Sequence, residues 1–283
     1  MRAPPAEDHA SAVGLPQTLE ELEELEEPPY RVPHSPEPVR VIFADQHLLL
    51  IHKPDLLLSV PGRHPVNRDC MISRLQRRFA DALIVHRLDL DTSGIMLIAR
   101  GKASQAALSR LFQERAVRKR YHAWVCGEVA ADEGRIERSI ARDWENRPRQ
   151  KICMETGKKS TTHFRVLDRR DGCSYLELIP VTGRTHQLRI HCREMGHPIL
   201  GCDLYAPNRV MGLAPRLMLH ASRISFSHPF ENTELTGHSP APFQNGWLPS
   251  QMTTPIAPTA TVKPDILAPY DSEGENVHAG GDA

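Results

Sequence analysis

The sequence predicts an α+β (mixed α/β) fold. Three observations point there: apolar runs of strand length outnumber helical ones, they often follow one another with no helix between, and they lie between two acidic, proline-rich ends. A strict βαβ series would alternate strand and helix instead. No internal repeat suggests a solenoid.

Residues 1–38 are rich in Pro and Glu. Leu19–Glu27, LEELEELEE, has helical spacing but little apolar surface to offset the entropy of ordering, so a flexible acidic arm is expected. Val39–Ala44 and Leu48–His52 are apolar runs split by a short polar turn, which reads as a hairpin. Cys70–Phe79 places Met71, Leu75 and Phe79 on one helical face. Leu83–Val85 and Ile95–Ala99 read as buried strands flanking the polar stretch HRLDLDTSG. A helix follows over Lys102–Arg115, then strands over Tyr121–Val129, Thr161–Leu167 and Tyr175–Val181. Thr185–Met195 is helical in character and Leu217–Phe226 returns to strand. The folded domain is therefore expected over residues 39–235. Residues 236–283, dominated by Pro, Thr, Gly and Asp without a period, are expected to be a disordered tail.

The formal net charge of zero conceals a strong partition. Residues 1–38 carry −7 and residues 229–283 carry −6, so the body between them carries +13. A basic body is the footprint of a nucleic-acid binder, although a solvated basic face without a partner has the same composition. No apolar run approaches the ~20 residues that span a membrane. The N-terminus lacks a basic start followed by an apolar stretch, so a secretory leader is not expected and the location reads as cytoplasmic. Six cysteines at 70, 126, 153, 173, 192 and 202 form no CxxC pair and read as reduced thiols rather than metal ligands or bridges.

Three constellations can carry chemistry. In His86–Gly94, HRLDLDTSG, a strand runs into Arg87, Asp89 and Asp91. Polar groups at the end of a buried strand are costly unless bonded, so the stretch is either a site or an Asx-type turn. Its DLDTS also resembles the nucleophile loop of Asp-dependent phosphatases, but Ser93 stands where those need Thr or Val. In Thr182–Gly201, TGRTHQLRIHCREMGHPILG, Arg184 precedes an expected helix start, a natural anion site. His186, His191, Cys192 and His197 fit no standard ligand spacing, so no metal is expected. In Lys119–Val125, Tyr121 follows two bases on a strand and either stacks on a nucleobase or fills a core.

Together these stretches resemble the RluA family of pseudouridine synthases. HRLDLDTSG matches the family's HRLDxxTSG, KRYHAWVCGEV its Tyr-bearing strand, and LELIPVTGRTHQLRIHCREMGHPILGCDLYA its third motif. KPDLLLSVPGR resembles the family's KPxGLLSVPGR, with Leu56 standing where Gly is common. RDWENRPRQKICMETGKKS and APRLMLHASRISFSHP resemble the RluA branch, which acts on a 23S rRNA hairpin and on tRNA anticodon stem-loops. The resemblance covers about residues 39–230. It implies a central, largely antiparallel sheet in two halves, flanking helices and a basic cleft between them, in a monomer that recognises RNA through the catalytic domain itself.

The resemblance also assigns roles. Asp89 is the catalytic carboxylate, with Arg184 paired to it and Tyr121 stacked on the uracil. Arg87 enters the space left by the flipped base, and Leu178 walls the pocket. From the basic body, Lys119 and Arg149 are expected to meet RNA phosphates, and His86 and Gln187 are expected to join the substrate contacts. The reaction breaks the uracil N1–sugar bond and rejoins the base through C5. Nothing is oxidised and no group is imported, so no cofactor is expected. The rival reading is a non-catalytic RNA chaperone or assembly factor. An intact Asp89, Tyr121 and Arg184 set argues against it, because a carboxylate in an anion's cleft repels phosphate.

Overall fold

Asp45 closes the first hairpin. Its Oδ1 accepts the backbone N–H groups of His47 and Leu48 at 2.6 and 2.7 Å, so β1 (Arg40–Ala44) turns back antiparallel onto β2 (Leu48–Lys53) as the sequence predicts. The structure is a computed structural model that describes residues 30–244 and 267–268. From Val32 onward the described residues form one compact unit. Leu19–Glu27, the possible acidic helix, and most of the expected tail lie outside the described residues.

After β2 come α1 (Met71–Gln76), β3 (Ala82–Ile84), β4 (Ser93–Arg100) and α2 (Gly101–Gln113). Next are β5 (Arg118–Cys126), β6 (Glu133–Glu137) and a separate hairpin of β7 (Ile140–Arg142) with β8 (Gln150–Ile152). β9 (Thr161–Arg170), β10 (Cys173–Pro180), α3 (Gln187–Glu194), α4 (Asn208–Met211), β11 (Leu219–Ser227), β12 (Glu234–His238) and β13 (Leu267–Ala268) follow. The large sheet runs β1-β2-β4-β11-β5-β10-β9-β6-β13, with β3 on β4 and β12 on β11. Its pairs are antiparallel except at β4–β11, where Ser93 and Gly94 lie parallel to His220 and Ala221.

That parallel seam divides two cores. In the first, Leu49, Ile51 and Leu97 of the sheet pack with Met71 and Leu75 of α1 and Leu108 of α2. In the second, Trp124, Leu176 and Phe164 pack with Ile190 and with Ile199. Each large apolar side chain buried this way contributes roughly 1.5–3 kcal/mol. Tyr121 packs against both clusters. The seam needs Gly94: its φ is +124°, and a Cβ there would lie 2.2 Å from the Ala221 carbonyl oxygen.

Two expectations change. The folded chain begins before residue 39, with Ser35 buried and Arg74 donating to the carbonyls of Ser35 and Glu37, so the expected arm over 1–38 does not reach that far, and it does not stop at residue 235. β12 extends to His238 by pairing with β11, and beyond it Ala241 and Phe243 are buried, with the Phe243 carbonyl accepting Trp124 Nε1–H at 3.3 Å. Strands β6, β7 and β8 were not legible, because short charged segments such as EGRIE, IAR and QKI pair through their partners rather than through an apolar period.

Candidate active site

A cleft of about 590 Å³ opens at the seam. One side is the loop that enters β4, another is β5, and a third is the turn that enters α3, so His86–Thr92, Tyr121 and Thr182–Arg189 come together. Sequence spacing alone could not bring Asp89 beside a turn about 95 residues later.

The Asp89 loop is clamped from below. Lys53, fully buried, donates from Nζ to the carbonyls of Pro54, Leu57 and Leu90 at 2.8, 2.7 and 3.1 Å. Burial pulls its pKa down to about 7, while three carbonyl acceptors call for all three ammonium protons. Ser59 Oγ donates to Leu88 O at 2.7 Å and accepts Leu88 N–H at 3.1 Å. The KPDLLLS stretch therefore serves as the base on which the loop is set. A backbone β-turn, from Thr92 N–H to the Asp89 carbonyl at 3.2 Å, completes the loop.

Asp89 presents a carboxylate whose side chain is 22% exposed. Among the described residues it accepts no side-chain hydrogen bond, and the charged or titratable group within ion-pair reach is His186, with Nε2 3.9 Å from Oδ1. The expected pair with Arg184 does not form. Arg184 lines the cleft but is exposed and donates from Nε to Lys159 O at 3.4 Å. The arginine fixed beside the aspartates is Arg189. Its Nη1 lies 3.4 Å from Asp91 Oδ2, it pairs with Asp203, and its Nε and Nη2 reach Cys202 Sγ at 3.3 Å. Burial pulls the Arg189 pKa down, but Cys202, Asp203 and Asp89 more than offset this and it is raised overall. Burial raises the pKa of Asp91, and the Arg189 charge opposes that rise.

Tyr121 lines the cleft, and burial together with the Asp89 charge pushes its phenol well above the ordinary range, so it stays protonated. Arg87 is exposed at the cleft and makes no hydrogen bond or ion pair among the described residues, so it is not a structural ion pair. Lys119 also lines the cleft, with Nζ 6.0 Å from the Phe112 ring centroid, and burial lowers its pKa. His86 lines the cleft too. Burial first, and then the Lys119 charge, hold its pKa down to about 3, and its Nε2 accepts Leu97 N–H at 2.9 Å.

Three expected substrate residues sit elsewhere or are already committed. Gln187 is buried and uses its whole hydrogen-bonding capacity internally. Oε1 accepts from Thr182 Oγ1 and Arg184 N–H, and Nε2 donates to Thr161 O and Thr162 Oγ1. It builds the turn rather than touching substrate. Leu178 pairs with Tyr121 across β5–β10 but is fully buried in the second core, and the apolar walls are instead Leu88, Val117, Leu188 and Leu219. Arg149 belongs to the β7–β8 turn, outside the cleft lining. That turn also holds Trp144, which is 60% exposed, with the guanidinium carbons of Arg142 and Arg147 5.3 and 4.5 Å from its ring centroid. The third-motif histidines take separate structural bonds. His191 lies between Ser160 and Thr162 and His197 meets Cys126 O, so they do not converge on a metal.

Residues 47–194 match the family described as RNA pseudouridylate synthase. Over 190 residues the chain is 47% identical to a Yersinia pestis protein named dual-specificity RNA pseudouridine synthase RluA, covering 67% of this chain and 92% of that one. It is 42% identical to the Salmonella typhi protein of the same name over 215 residues, covering 76% and 98% of the two chains. The solved structure of human RNA pseudouridylate synthase domain containing 1 is similar, with TM-score 0.62 and 30% identity over 75% of this chain and 86% of that one.

Proposed function

The chain belongs to the RNA pseudouridylate synthase family and is an isomerase acting on RNA; on that premise we propose that it converts uridines in tRNA anticodon stem-loops, 23S rRNA hairpins or both, with Asp89 as the catalytic carboxylate. The observation that carries this assignment is the position of Asp89, held at the seam of the two cores beside Tyr121 and an otherwise basic rim. As the N1–glycosidic bond breaks, positive character develops on the sugar, and a carboxylate there stabilises it, attacks it or removes a neighbouring proton. The base turns and rejoins through C5, so the C5 proton leaves and N1 gains one. No redox partner enters that balance.

The remaining roles follow from placement. The target uridine must leave its stack, which costs a few kcal/mol and least in a loop, in keeping with hairpin substrates. Unpaired Arg87 is free to enter the vacated space. Tyr121, held protonated at the cleft floor, stacks on the detached uracil. Lys119 and Arg184 take RNA phosphates at the rim, and Arg147 and Arg149 take them on the hairpin. Arg189 keeps the aspartate loop in place from beneath. The protein works as a cytoplasmic monomer.

The test is tritium release from C5-labelled uridine in an anticodon stem-loop and in an rRNA hairpin. The wild type releases tritium. Asp89→Asn does not, yet binds the same RNA within a few-fold, and the affinity of both falls steeply with salt as counterions are released. Release by Asp89→Asn at the wild-type rate overturns the assignment. Salt-sensitive binding with no release from any structured RNA would favour a chaperone.

A further inference from the structure

Tyr205 links two parts of the molecule that the mechanism above leaves unconnected. Its hydroxyl accepts the backbone N–H of Gln150, in the β7–β8 hairpin, at 2.8 Å, and lies 2.7 Å from His186 Nδ1. A phenol has one proton to give. Among the described residues that oxygen meets no acceptor other than Nδ1, an arrangement that lets the hydroxyl donate to Nδ1 and leave the imidazole proton on Nε2. Burial lowers the His186 pKa, which keeps the ring neutral at neutral pH. The backbone holds the residue in place as well. His186 sits at φ 55° immediately before α3, and its ring meets the Tyr205 ring edge-on at 5.6 Å.

The ring's other nitrogen faces Asp89 at 3.9 Å, and Asp89 has no other side-chain partner among the described residues. We propose that His186 and Tyr205 are positioning residues for the isomerisation: Tyr205, anchored by the backbone of the hairpin, fixes the His186 tautomer so that Nε2–H orients the Asp89 carboxylate toward the sugar. A neutral donor suits this task, because it steers the carboxylate without taking its charge. The separation exceeds hydrogen-bond length, and rotation of the carboxylate closes it once RNA fills the cleft, as such contacts tighten in the substrate complex. The inference rests on the assignment of Asp89 as the catalytic carboxylate. The alternative is that His186 and Tyr205 only pack.

The test uses the full chain with a C5-tritiated anticodon stem-loop under saturating and limiting RNA. Tyr205→Phe keeps the ring and removes the hydroxyl. It is expected to lower kcat ~10-fold, and His186→Ala ~100-fold, the range for groups that orient an active residue. KM stays within ~3-fold, because RNA binding lies elsewhere. His186→Gln, which returns an N–H at similar reach, brings kcat back to within ~5-fold of the wild type, a recovery that packing alone does not give. Long-range 1H–15N spectra of the wild type show Nδ1 of His186 unprotonated, and Tyr205→Phe shows mixed tautomers. That second readout needs no active variant. A protonated Nδ1 in the wild type, wild-type kcat in Tyr205→Phe, or His186→Gln no better than His186→Ala overturns the proposal. If Asp89→Asn is inactive while these variants turn over normally, the relay alone fails. Activity in Asp89→Asn removes the premise beneath it.

Discussion

Arg189 and Asp91 meet inside the protein: Nη1 lies 3.4 Å from Oδ2, on an arginine side chain that is 1% exposed. The same guanidinium pairs with Asp203 and reaches Cys202, so one planar fork serves three partners. Removing it leaves Asp91, 22% exposed, and the more exposed Asp203 without a counter-charge. Arg189→Met is therefore expected to cost ~1–3 kcal/mol, the range for leaving a partly buried polar partner unsatisfied. Arg189→Lys recovers little of this, because a single ammonium cannot span the fork. Arg184→Met, at an exposed side chain, changes stability by no more than ~0.5 kcal/mol. Urea unfolding of the three variants decides the matter, and equal losses for Arg184→Met and Arg189→Met would contradict this placement of the structural arginine.

Leu56 occupies a turn at φ 53°. That left-handed conformation costs a side-chain-bearing residue roughly 1–2 kcal/mol, and Gly adopts it freely. Leu56 is also 37% exposed, so it returns little through burial. Leu56→Gly is expected to stabilise the protein by ~0.5–1 kcal/mol after the greater chain entropy of Gly is subtracted. Leu56→Val, stiffer at χ1, should destabilise it. The urea midpoint measures both. A lower midpoint for Leu56→Gly would mean that the Leu56 side chain contributes more than its exposure indicates.

Much of this was legible from sequence, and the failures share a cause. HRLDLDTSG identified the loop, and the apolar runs located β2, β4, β5, β10 and β11. The acidic loop and Tyr121 line one cleft. What local sequence could not supply was the direction in which an element faces. Arg184 and Arg189 flank one helix start, and only the docking of α3 decides that Arg189 turns inward while Arg184 stays outside. A hint existed, since Gln187–Cys192 buries six consecutive residues, so a polar residue there had to find partners within the protein. Leu178 shows the same limit for strands. It sits opposite Tyr121 in register, but alternation does not say whether that place in the sheet lies under the cleft or under the core. Gln187 looked like a substrate contact because its residue type can be one. Its four internal hydrogen bonds become visible only in three dimensions.

Four histidines tie stability to pH. Burial, their largest influence, pulls His52 and His191 to about 4 and His86 and His220 to about 3. Each is bonded as a neutral ring. His52 meets Ser239 Oγ at 2.8 Å, His86 accepts Leu97 N–H, His191 lies between Ser160 and Thr162, and His220 spans Ser93 and Ser239. In the unfolded chain such residues titrate near 6.5. Their folded pKa values are depressed, so the unfolded chain binds more protons between about pH 6.5 and about pH 4. The stability they contribute is complete above pH 6.5 and is lost as pH falls through that window. Near pH 5 the difference approaches four protons, a slope of ~5 kcal/mol per pH unit. Asp91, raised by burial, acts in the opposite sense, but one group offsets only one proton. Against a net stability of ~5–15 kcal/mol, cooperative unfolding is expected within ~1–2 pH units below pH 6. Urea unfolding from pH 7.5 down to pH 5 gives the slope directly. A slope of less than one proton would mean that these histidines are already charged in the folded protein, and that the network from His52 through Ser239 and His220 to Ser93 does not hold neutral rings.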